Sequence, residues 1–265
     1  MSVAEGNRVY SNASVHHSAF EIVWTNKDLD AALSGLLGDV LSDPNRIDDI
    51  ESTLDGLAET EFEATGVRRI LASREELTNW RVGEMLSLVY LQEHQRCLFP
   101  WPTGRDNRKA GSSLPGADLA GFTGDEAGYC FAFGETKTSS ERRYPPRVMH
   151  GDDGRISQLK ALRDDQSIRD KLVRYLLFKS ASSPWMKQYQ SAAKRYISDP
   201  TDISIYGLLI RDVESNSKDL HGLGRKFIQT ATTRTRLKLI AIYLPTDSLS
   251  SVKTRVISRS ANNEF

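Results

Sequence analysis

No apolar run in the 265-residue chain approaches the roughly 18–20 residues needed to span a bilayer. The opening MSVAEGNRVYSNASVHH has no apolar stretch of the kind a signal peptide needs, so a cytoplasmic protein is expected. His16-His17 sits in that polar opening and reads as a flexible tail rather than a ligand pair. Cysteine is scarce: Cys97 and Cys130 are the only two, each in an apolar, strand-like run. They form no C-x-x-C pair, no disulfide framework or zinc site is visible, and buried thiols are expected. With five histidines, no Ser-His-Asp or Cys-His arrangement is suggested. HGLGRK (221–226) has glycines and a lysine but lacks the G-K-[ST] of a phosphate-binding loop; it reads as a loop opening a short helix. No internal repeat or low-complexity tract is present.

Net charge is also absent, but only on average. Residues 1–136 hold 11 Lys+Arg against 22 Asp+Glu, and residues 137–265 hold 24 against 13. The first half is therefore acidic by 11 and the second basic by 11. A basic half suits a polyanionic partner, although solvated surface explains it equally well.

What is present is an alternation of helical and strand-like patterns. FEIVW (20–24) reads as a strand. DLDAALSGLLGDVLS and RIDDIESTLDGLAETEFEA carry apolar residues at helical spacing and are parted by Pro44. These make residues 1–70 an acidic N-terminal accessory unit, with a second domain over 71–265. That domain opens on a helix over 73–95, with Ser73 and Glu76 spaced as a capping box. RCLFPWP, GADLAGF and YCFAFGETKTS follow as three strands, the first two joined by the loop TGRDNRKAGSSLPG. A helix over 155–180, another over 185–197, a strand over 202–212, a short helix over 222–234 and a strand over 237–245 complete it. Residues 250–265 read as a polar tail. Strands alternating with helices imply an α/β fold, a mixed central sheet flanked by helices.

Charged residues interrupt the second and third strands. Alternation places Phe131, Phe133, Glu135 and Lys137 on one face of FAFGETK. The aromatics belong to the core, and the acid and the amine emerge together. If the two strands pair as a hairpin, Asp118, in the middle of its strand, lies beside Glu135. Two carboxylates and the Thr136 carbonyl form a hard oxygen site suited to Mg2+ or Mn2+. Such a cation lowers the pKa of bound water and neutralises a scissile phosphate, while Lys137 can orient that water or stabilise developing charge. Glu84 falls on the Leu77–Trp80–Leu88–Leu91 stripe of the first long helix and can add a further ligand; its alternative is a partly exposed acid at the edge of the stripe. Arg105, Arg108 and Lys109 ahead of the site, and Arg142, Arg143 and Arg147 after it, are candidates for nucleic-acid backbone contact or are solvated loops.

The pattern G-A-D-(x16)-E-T-K, set in a helix–three-strand–helix order, resembles the D-x(n)-E-x-K signature of the PD-(D/E)xK, or restriction-endonuclease-like, nucleases. Over roughly residues 75–180, FPWPTGRDNRKAGSSLPGADLAGF, FGETKTSS and RISQLKALRDD are similar to the nuclease subunit of the Hachiman anti-phage defence system. The resemblance implies a restriction-endonuclease-like core and a metal-dependent DNA nuclease with catalytic Asp118, Glu135 and Lys137, joined by Glu84. It also implies a superfamily 2 DNA helicase as the partner that restrains and activates the nuclease. Two rivals of another class are a non-catalytic nucleic-acid-binding subunit and an adaptor built on the acidic N-terminal unit.

Overall fold

Strand patterns with both faces apolar dominate the chain's second half, and they form the centre of the sheet. The computed structural model describes residues 2–14, 16–42, 60–63, 65–66, 77–100, 116–152, 154–221 and 234–262. The strands are β1 (Asn7–Ala13), β2 (His17–Val23), β3 (Cys97–Leu98), β4 (Leu119–Asp125), β5 (Gly128–Ser139), β6 (Ile203–Arg211) and β7 (Arg236–Tyr243). They make one seven-stranded sheet in the order β1-β2-β7-β6-β5-β4-β3. The β2, β7, β6 and β5 ladders are parallel, whereas both edges are antiparallel. The expected mixed α/β architecture is therefore present.

Helices α1 (Asn26–Ser34), α2 (Leu36–Ser42), α3 (Asn79–His94) and α7 (Leu249–Asn262) share one face of the sheet. Their Leu29, Leu33, Leu37, Val89, Leu249 and Val252 pack with Tyr206, Leu208 and Ile210 of β6. Helices α4 (Arg155–Asp164), α5 (Gln166–Ser180) and α6 (Met186–Ser198) cover the other face. There Leu159, Leu162, Leu172, Tyr189 and Tyr196 meet Phe131, Phe133, Ile203 and Ile205. Burial of this order stabilises each large apolar side chain by about 1.5–3 kcal/mol. On that face Arg195 of α6 clamps the β4–β5 turn, donating to both Asp125 oxygens at 2.7 and 2.9 Å and to both Asp202 oxygens at 2.8 and 2.9 Å. Among the described residues no helix is long and apolar enough to cross a membrane.

Several elements differ from the sequence expectation. β1 and β2 join the central sheet, with β2 paired to β7 along its whole length. His17 is not in a tail; it opens β2 and is buried. The first long helix starts at Asn79, with Thr78 as its N-cap; Ser73 and Glu76 lie outside the described residues. The single helix expected over 155–180 is broken at Asp165, whose carboxylate accepts from Ser167 N at 2.8 Å. A short acidic side chain bonds a free helix-start N–H better than it serves a helix interior. The tail at 250–265 is largely α7, held by the buried Val252 and Val256 on one helical face. The second helical pattern over 46–64 lies mostly outside the described residues, as does the helix expected over 222–234.

Candidate active site

β5 is twelve residues long and outruns β4. Pairing with β4 ends at Leu119↔Gly134, so Glu135–Ser139 have a strand partner only on the β6 side. Asp118 does not sit mid-strand: it is the residue before β4, in a bend. Continuing the register places it across from Glu135. Its Oδ2 accepts a hydrogen bond from Thr136 N at 2.8 Å. The N–H and C=O of one strand residue leave on the same edge, so the Thr136 carbonyl also turns toward Asp118. Phe131 and Phe133 are buried, as expected, and Glu135 and Lys137 follow them on the same face.

Burial is the largest influence on both acids and pushes both pKa values up. For Glu135 the neighbouring Asp118 adds to the rise; for Asp118 the Thr136 N–H and Lys137 oppose it. The two carboxyls share a hydrogen bond that favours the proton on Glu135. Glu135 Oε2 is buried without a hydrogen-bond partner among the described residues. Two buried acids with raised pKa values, one with an unsatisfied oxygen, form a donor set that fits a hard divalent cation, whose charge favours their ionised forms. The set is two carboxylates and the Thr136 carbonyl. Among the described residues no three His, Cys, Asp or Glu side chains are gathered as a metal-ligand group.

Glu84 reaches the same region from α3. The helix runs close to β5 at Gly83, where a Cβ would fall 1.9 Å from Thr138 Oγ1. Glu84 is buried, and burial followed by Asp118 pushes its carboxyl up to about 8, against the pull of Arg81 and Lys137. Arg81 Nη1 stands 3.5 Å from its Oε2. A raised acid holds a proton in the native state that the unfolded chain has released. Stability from Glu84 is thus full below about pH 4.3, the unfolded value, and is lost as pH rises through about 8. The thermal midpoint of metal-free protein is expected to fall across this window, and Glu84→Gln should flatten the fall. Equal slopes for the two proteins in thermal scans at stepped pH would contradict it.

The candidate nucleic-acid contacts divide. Arg105, Arg108 and Lys109 lie outside the described residues. Arg142, Arg143 and Arg147 are exposed on the segment that leaves β5. Arg142 stands 3.8 Å from Asp247, and Arg147 3.2 Å from Glu141. Sequence reasoning missed Arg81, although its spacing three residues before Glu84 on a helix was legible. It also missed the buried Arg155, Arg211 and Asp219. Cys97 and Cys130 are buried free thiols. No family model and no curated protein matches the chain.

Proposed function

We propose that the chain is a metal-dependent DNA nuclease of the PD-(D/E)xK type, with a restriction-endonuclease-like core, acting in the cytoplasm. The observation that carries this reading is the meeting of Asp118, Glu135 and the Thr136 edge of β5, with Lys137 next on the same face. Asp118, Glu135 and the Thr136 carbonyl would hold Mg2+ or Mn2+. When bound, that cation supplies positive charge for a scissile phosphodiester and lowers the pKa of a water. Lys137 would donate to the attacking water or to a phosphate oxygen as negative charge develops there. Glu84, whose carboxyl burial and Asp118 push up to about 8, would add a further oxygen to the site from α3. Arg142 and Arg143 would meet the DNA backbone next to it.

The test is cleavage of supercoiled plasmid with Mg2+ or Mn2+ and with chelator. Cleavage only with the cation supports the reading. DNA binding without cleavage under any condition favours a non-catalytic subunit instead. Lys137→Ala is expected to lose about 100-fold or more in turnover while Mn2+ affinity by calorimetry stays within about threefold, because lysine is not a ligand. Loss of affinity together with activity would contradict its role.

The Hachiman resemblance extends the proposal to anti-phage defence with a partner DNA helicase that silences cleavage until it engages DNA. The acidic N-terminal surface would dock on that partner. Truncation is a poor test, because β1 and β2 belong to the central sheet. Charge reversal at the exposed Glu5 and Asp39 should weaken co-purification with the helicase and leave free DNase activity unchanged. Full-strength co-purification would overturn the docking surface.

A further inference from the structure

Three arginines are buried among the described residues: Arg155, Arg169 and Arg211. Two have an evident structural use. Arg169 donates to the carbonyls of Leu162 and Arg163, and Arg211 donates to those of Glu141 and Arg143. Arg155 differs. It has no exposed surface, and none of its three guanidinium nitrogens has a hydrogen-bond partner among the described residues. It is also the first residue of α4, where the helix dipole disfavours a cation. Such an arginine is costly unless its charge is used.

The sheet shows where that charge sits. Gly207 on β6 pairs with Glu135 on β5 and with Leu239 on β7, and partners in a parallel ladder point to the same face. A Cβ at Gly207 would lie 3.1 Å from Arg155 Nε, 2.6 Å from Leu159 Cδ1 and 2.9 Å from Leu239 Cδ2. The guanidinium therefore fills the side-chain space beside Glu135 that any residue but glycine would occupy. The acids acting on it are Asp219 and Glu135. Burial pushes it down to about 9, which leaves it charged at neutral pH. Asp219 is itself fully buried and fixed: its Oδ2 accepts from the Tyr243 hydroxyl at 2.8 Å and stands 3.7 Å from Arg211 Nε. Its Oδ1 has no hydrogen-bond partner among the described residues, like Glu135 Oε2.

We infer that Arg155 is a positioning residue for Glu135: its guanidinium lies over Gly207, directly across the β5–β6 ladder from Glu135, and its buried positive charge draws the inner carboxylate oxygen so that the outer one faces Asp118. The inference rests on the nuclease reading for its purpose, though not for its geometry. Arg155 touches neither substrate nor cation and acts only through Glu135.

Arg155→Met, Arg155→Lys and Asp219→Asn test it, each compared with wild type in metal-free crystals, by Mn2+ calorimetry and by plasmid cleavage. Arg155→Met should move the Glu135 carboxylate by about 1 Å or more and cut turnover about 100-fold. It should weaken Mn2+ binding about tenfold, the cost of losing a group that orients a ligand. Arg155→Lys should recover only part of the Mn2+ affinity, since a single flexible ammonium holds the carboxylate less well than the planar guanidinium. Asp219→Asn, nearly isosteric, should give the same displacement in weaker form and decides the matter if Arg155→Met does not fold. A Glu135 carboxylate unmoved in the variants, or Mn2+ binding unchanged or tighter, overturns the inference. If wild type neither binds Mn2+ nor cleaves, the nuclease reading falls, and the crystals alone judge the positioning.

Discussion

Glu135→Gln is expected to abolish cleavage and, in metal-free buffer at pH 8, to raise the thermal midpoint. The two effects have one cause. Glu135 is buried, hydrogen-bonded to a second acid, and has an oxygen without a partner among the described residues. Glutamine keeps the volume and the neutral form that burial favours, removes the cost of holding a proton on Glu135 at pH 8, and cannot serve as an anionic ligand. Removing a cost of about 1 kcal/mol corresponds to about 2–4 °C in a chain of this size. Cleavage should fall about 1,000-fold or more, since both the cation and its charge are lost from the phosphate. Saturating cation should then reverse the ranking: at about 100 times its dissociation constant a ligand adds about 2.7 kcal/mol to wild type, and the variant gains little. Undiminished cleavage, or an equal cation-induced shift in both proteins, would remove Glu135 from the site.

How much of this could be read from the residues depends on the range of the interactions involved. The alternation in FAFGETK is local, and β5 carries it as expected, with aromatics buried and the acid and the amine emerging after them. Asp118 was expected beside Glu135 and is found there by register, but outside its strand, because β5 outruns β4 and no local pattern encodes that length difference. The polar β1, NRVYSNA, is exposed over nearly its whole length; its pairing with β2 alone makes it a strand, so it has no core-facing signal. Helix α7 hides in a polar segment because Val252 and Val256 supply most of the apolar signal that a longer pattern normally provides. Arg155 reads as an ordinary exposed residue at the start of a helix. Its burial depends on Gly207, on a strand far along the chain, and that relation exists only after the sheet has formed.

Arg211→Ala should be strongly destabilising, by about 3–5 kcal/mol, the cost of removing one partner from a buried charge pair. Arg211 ends β6 with no exposed surface. Its Nη2 donates to Glu141 O at 2.6 Å and to Arg143 O at 3.1 Å, and its guanidinium lies 5.2 Å from the centre of the Tyr144 ring. Nε stands 3.7 Å from Asp219. One side chain thus ties the segment leaving β5 to the sheet and compensates the acid behind the site. Removing it leaves Asp219 buried with less compensation and two carbonyls without their donor, while the segment bearing Arg142 and Arg143 loses its anchor. DNA affinity should therefore fall more than Mn2+ affinity, because Asp118 and Glu135 are held by the β4–β5 register. Pairing Arg211→Met with Asp219→Asn should recover part of the lost stability, since the uncompensated charge is then gone, but not the DNA affinity. Urea unfolding that places Arg211→Ala within about 1 kcal/mol of wild type, or a double variant no more stable than Arg211→Met alone, would show that this arginine does not hold the loop and the acid together.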